Sequence, residues 1–155
     1  MQRRAVLQSL AGVTAATAAG LAGCNTTVGG DGCGTPNGDL EAALPRGNDF
    51  GSPSVDTDNN GTEVGGARDN VLGGYVTDEE TYLFVIGEYD SEDTARTAAR
   101  TRENWVGFGY DTTGYIVVDA YAYVAMGPDE GSVTELMADA GPLDSDCAND
   151  KISFL

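Results

Sequence analysis

The stretch VLGGYVTDEETYLFVIGEY, residues 71–89, decides the fold. Upstream the chain is rich in Gly, Asn, Asp and Pro, whereas from Val71 onward it is dense in Val, Ile, Tyr and Phe. Two apolar-rich runs, 71–77 and 81–89, flank the polar triplet Asp78-Glu79-Glu80. Branched and aromatic residues suit a pleated surface, and a short polar interruption suits a chain reversal. The pair predicts a β-hairpin.

Further on, Ala95, Ala98, Ala99 and Val106 recur at helical spacing. They predict a helix over 92–106, capped by Asp90 or Ser91 and ended by Gly107. Residues 115–126 form a long β-rich run, bulged or broken near Asp119-Ala120. Ser132-Val133-Thr134-Glu135 reads as a capping box, followed by an apolar face of Val133, Leu136, Met137 and Ala140. Gly141-Pro142 stops this second helix, and residues 152–155 add a final edge strand. The order β-β-α-β-α-β predicts an α+β class, a two-layer sandwich of a mixed β-sheet with both helices on one face. A right-handed crossover would join strand 81–89 to the run 115–126.

Within that run, Ile116, Val118, Ala120, Ala122, Val124 and Met126 alternate with Tyr115, Val117, Asp119, Tyr121, Tyr123 and Ala125. The smaller, branched set suits helix packing. The aromatic set, with Tyr82, Phe84 and Ile86, falls on the other face. An apolar face of that size needs a cover. Either residues 40–71 fold over it, with Leu44, Phe50 and Val55 as plugs, or part of it binds a partner through Tyr121 and Tyr123.

The N-terminus carries an address. Arg3 and Arg4 precede a run without charge that closes at Leu21-Ala22-Gly23-Cys24. A basic start, an apolar middle and small residues before a cleavage point make an export signal. The run is poor in large apolar side chains, and a spanning helix needs about 20 predominantly apolar residues. Arg3-Arg4 followed by Val6-Leu7 resembles the twin-arginine address. Leu21-Ala22-Gly23-Cys24 resembles the lipobox of prokaryotic lipoproteins. With scarce Lys and abundant Asp, Thr and Ala, the chain resembles small exported lipoproteins of salt-loving archaea. That resemblance implies a lipid on Cys24 and a place on the outer face of the cell membrane. It implies no activity. The expected organisation is a signal peptide at 1–23, a lipidated flexible tether at 24–39 and one acidic α+β domain at 40–155.

All 25 acidic residues but only six of the eight basic ones follow residue 23, so the mature chain carries a net charge of −19. Nucleic-acid binding is disfavoured, because phosphate contacts need Lys and Arg. An acidic surface either holds cations or suits strong brine, where at about 1 M salt charges are screened beyond roughly 3 Å. With Cys24 lipidated, Cys33 and Cys147 remain. Outside the cell membrane an even pair suggests a disulfide, the alternative being two free thiols. Closing so long a loop is worth about 4–5 kcal/mol in the chain-entropy model.

Catalytic signals are weak. The chain has no histidine, so it holds no Ser-His triad and no His-ligated zinc. Asp56-Thr57-Asp58-Asn59-Asn60-Gly61 matches the opening of an EF-hand loop, with Asp56, Asp58 and Asn60 as candidate Ca²⁺ ligands. Ala67 stands where such a loop needs a bidentate Glu, so an Asp/Asn/Gly turn is the simpler account. Asn25-Thr26-Thr27 and Asn60-Gly61-Thr62 are glycosylation sequons at Asn25 and Asn60. Arg96, Arg100 and Arg102 share the first helix, where Glu92 and Glu103 stand at ion-pair spacing. No cofactor is expected. The leading expectation is a lipid-anchored binding or envelope-structural module, its partner an envelope protein or a small ligand. An acidic Ca²⁺-binding surface protein is the rival, and a carboxylate-dependent hydrolase is third.

Overall fold

The computed structural model describes residues 26–28, 32–47, 49–56 and 64–155. The signal peptide, Cys24, Asn25, Asp58 and Asn60 lie outside the described residues. Two short strands, β1 (Thr26–Val28) and β2 (Gly34–Pro36), pair antiparallel. The main sheet holds β3 (Ser54–Asp56), β4 (Asp69–Val76), β5 (Thr81–Glu88), β6 (Thr112–Val118), β7 (Tyr121–Gly127) and β8 (Ser153–Phe154), in the order β3-β4-β5-β7-β6-β8. Among the described residues three α-helices accompany it: α1 (Glu92–Arg100), α2 (Glu130–Ala138) and α3 (Ser145–Lys151).

The α+β class and the first hairpin are as the sequence predicts. β4 and β5 pair from Asp69↔Glu88 to Val76↔Thr81. The sheet differs in being antiparallel at every pairing rather than mixed. The run 115–126 is the cause. At Asp119-Ala120 the chain reverses, and Val118 pairs with Tyr121. Asp119 adopts φ 52°, a left-handed conformation that Asp tolerates better than most residues. β7 thus lies between β5 and β6, which run in one direction but are not neighbours.

That reversal also redistributes the faces. Paired residues across an antiparallel ladder share a face, so Ile116 and Val118 join Tyr123 and Tyr121. Ile116, Tyr123, Ala125, Phe84 and Ile86 form one core with Val133, Leu136 and Met137 of α2 and Cys147 and Ala148 of α3. On the other face, Ala95, Ala98 and Ala99 of α1 pack on Ala122 and Tyr89. Val85, Val124 and Met126 extend that face beneath Trp105 and Val64. The helices therefore sit on opposite faces in three layers, correcting the two-layer expectation. Gly127 makes room for α2: a Cβ there would stand 2.6 Å from the Tyr82 ring and 3.2 Å from Val133.

Helix boundaries follow their caps. Ser91 caps α1, accepting from the Thr94 N–H. The helix stops at Arg100, short of 106, because side chains downstream take its last carbonyls. The Asn104 amide donates to Ala98 O and the Trp105 indole N–H to Ala99 O, both at 3.0 Å. α2 begins earlier than the capping box suggests: Asp129 accepts from Ser132 N–H at 2.9 Å and is the true cap. α3 is not anticipated by the sequence reading. It is capped by Asp144, which accepts from Cys147 N–H at 2.8 Å.

The loops cover the aromatic face, as one of the two sequence readings holds. Leu40, Ala43, Leu44 and Phe50 are buried in the α2-side core, with Val55 packed against it. The Phe50 ring meets Tyr82 edge-on at 5.1 Å between centroids. The stretch 24–39 is not a tether throughout. Cys33 forms a bridge with Leu143, and Gly34 N–H donates to Pro142 O at 2.8 Å, so residues 32–36 belong to the domain.

Candidate binding cleft at the sheet edge

β8 covers only part of its neighbour. It pairs with β6 at Gly114 and Tyr115, and Leu155 N–H adds a bond to Thr113 O at 3.1 Å. Upstream, the chain turns out of α3 at Ile152 (φ −65°, ψ 137°), so among the described residues no strand flanks the rest of β6 on the side away from β7. Alternate residues of a strand direct their N–H and C=O to the same neighbour. Thr113 faces β8, so Tyr115 and Val117 face the same side. Among the described residues, nothing hydrogen-bonds to the outward N–H and C=O of Val117.

A cleft of about 360 Å³ opens at this point. Tyr115, Ile116, Val117 and Val118 all line it. Tyr115 and Val117 pack with the α1 cluster, while Ile116 and Val118 pack with the α2-side core. Successive residues of both faces meet only along the strand's edge, so the cleft runs along that edge. Arg96 of α1, Lys151 at the end of α3, and Asp119 complete its charged lining. Arg96 pairs with Glu92 one turn earlier, with both side chains about half exposed. Such a pair holds weakly and can be exchanged. Lys151 has no carboxylate within ion-pair distance among the described residues.

The residues singled out in the sequence are dispersed. Cys33 and Cys147 are joined in a disulfide, Cα to Cα 5.2 Å, across 114 residues. Cys33 also lines the cleft. Tyr123 is fully buried and so cannot anchor a partner, which corrects that expectation; Tyr121 is half-buried at the start of β7. Burial and the nearby Glu88 raise the Tyr121 pKa. Asp56 ends β3, exposed. Among the described residues no group of three His, Cys, Asp or Glu could hold a metal ion. The Glu92–Arg96 pair forms as the spacing suggests, whereas Arg100 and Glu103 do not pair.

Three buried tyrosines serve structure. Tyr75 donates to Pro45 O at 2.7 Å, Tyr89 to Val64 O at 2.8 Å and Tyr123 to Gly34 O at 2.9 Å. Each fastens a segment that precedes β4 in the chain to the body of the domain. Burial pushes the Tyr89 phenol up to about 12 and raises Tyr75 and Tyr123 further. The Asp139 carboxyl is also raised, by burial first and then by Asp49 and Glu135.

The cleft escaped the sequence reading because it depends on the reversal at Asp119-Ala120, which carries no Gly, Asn or Pro. No protein-family model, curated protein or solved structure matches the chain. No helix among the described residues is long and apolar enough to cross a membrane.

Proposed function

We propose that this chain is a membrane-anchored extracytoplasmic lipoprotein whose acidic α+β domain acts as a binding or envelope-structural module. The anchor is the lipid on Cys24, and the export route is the twin-arginine one. The observation that carries this reading is the Cys33–Cys147 disulfide, which begins nine residues after Cys24. Disulfides persist in oxidising compartments and are rare in the cytosol. A lipobox followed at once by a disulfide-closed domain is coherent as an exported product. The −19 charge fits a brine-adapted surface, and only two ion pairs occur among the described residues.

Cys24→Ser tests the anchor. The variant should accumulate as uncleaved precursor or appear in the medium, while the parent stays with the membrane fraction and gains the mass of a lipid. A processed variant that remains stably on the membrane rejects the reading.

A further inference from the structure

We propose that the cleft beside β6 binds an extended, carboxylate-bearing peptide segment, which pairs with Val117 as an added strand and sets its acidic side chains against Lys151 and Arg96. This rests on the reading of the domain as a binding module and names its partner by chemistry.

The backbone argues for a peptide. β6 presents one N–H and one C=O at Val117, in line with the bonds that Tyr115 and Thr113 make to the last residues of the chain. A strand continuing that line completes an interrupted ladder. Main-chain bonds of this kind supply affinity when a peptide joins a sheet edge, and side-chain pockets supply selectivity. The cleft lies along the edge, which admits a strand but gives neither sheet face a flat platform.

The charges argue for an acidic one. Of the six basic residues after position 23, Arg96 and Lys151 come from separate helices, yet they line one cleft. Lys151 stands without an ion-pair partner among the described residues, in a chain with 25 carboxylates. Arg96 needs only to exchange an exposed bond to Glu92. Asp119 lies at the turn end and is placed to discourage a carboxylate there, which gives the site a direction. Unpaired edge groups are otherwise a route to unwanted association. The neighbouring charges select which strands can approach.

The test uses the full chain, disulfide intact, in detergent and molar salt. The probes are fluorescein-labelled Thr-Val-Glu-Glu-Val-Thr, whose adjacent glutamates project to opposite faces of the added strand, its Thr-Val-Lys-Lys-Val-Thr counterpart, and the acidic peptide with alternate amides N-methylated. Fluorescence anisotropy should saturate with the acidic peptide, at least tenfold tighter than with the other two. Lys151→Glu should weaken it tenfold or more, and Arg96→Glu should do the same without touching the sheet. Circular dichroism confirms folding of each variant. Equal binding of acidic and basic peptides, indifference to N-methylation, or no binding at millimolar peptide overturns the proposal. None of these results bears on whether Cys24 carries a lipid, which membrane retention decides separately.

Discussion

The Tyr123 hydroxyl donates to the carbonyl of Gly34 at 2.9 Å, across 89 residues of sequence. It ties the middle of the central strand β7 to the segment that also carries Cys33. Residues 32–36 are thus held by a covalent bond and by this buried hydrogen bond, in addition to their backbone bonds with residues 142–144.

Tyr123→Phe should cost about 0.5–1.5 kcal/mol of stability, the usual net worth of one such bond. Amide hydrogen exchange near Gly34 should rise more than exchange in β4 or β5. Tyr121→Phe, at a half-buried position, should change stability little. Equal effects of the two substitutions would show that the buried bond contributes nothing of its own.

Alkaline titration offers a second check. Tyr75, Tyr89 and Tyr123 all have raised pKa values, with burial as the main cause. An unfolded tyrosine ionises near pH 10. Below that pH the folded and unfolded chains hold the same phenolic protons. Above it the unfolded chain loses protons first, so stability falls as pH rises toward 12 and beyond. Of the seven tyrosines, these three should resist ionisation, read as phenolate absorbance, until the protein unfolds. Smooth titration of all seven in a folded protein would contradict their burial.

Reduction of the disulfide, or the double change Cys33→Ser with Cys147→Ser, should lower stability by about 2–4 kcal/mol. The residues around Gly34 should loosen first, since only hydrogen bonds, from Tyr123 and with the backbone of residues 142–144, then hold them. Limited proteolysis should cut within residues 32–36 before it cuts the sheet. An unchanged melting temperature on reduction would rule out this role.

Salt should matter strongly. With −19 after residue 23 and two exposed ion pairs among the described residues, repulsion opposes the compact state. Transfer from molar to millimolar salt lengthens the range of that repulsion and should lower the melting temperature. A flat profile would remove the support for brine adaptation.

The sequence was most legible where one side-chain pattern had one physical solution. The 71–89 hairpin, the Ser91 cap and the Cys33–Cys147 pair are of this kind. It was least legible at Asp119-Ala120. The sequence marks a bulge or break there, but two central residues without Gly or Asn do not show that it is a full reversal, and the reversal decides the faces, the strand order and the open edge at Val117. Alternation was correctly seen on either side of the turn, but its phase changed across it. That single shift moved Tyr123 into the core under α2. The early end of α1 was equally hidden, because Asn104 and Trp105 act through side-chain bonds to carbonyls that periodicity does not encode.

The pairing of Thr26 with Pro36 has a consequence for reach. If Cys24 bears the lipid, only Asn25 separates it from a strand already folded back on the domain. Two residues of extended chain span at most about 7 Å. Such a protein could not sweep the space above the bilayer like a ball on a string. It would lie against the headgroups like a limpet, and its partners would have to come down to the membrane to meet it.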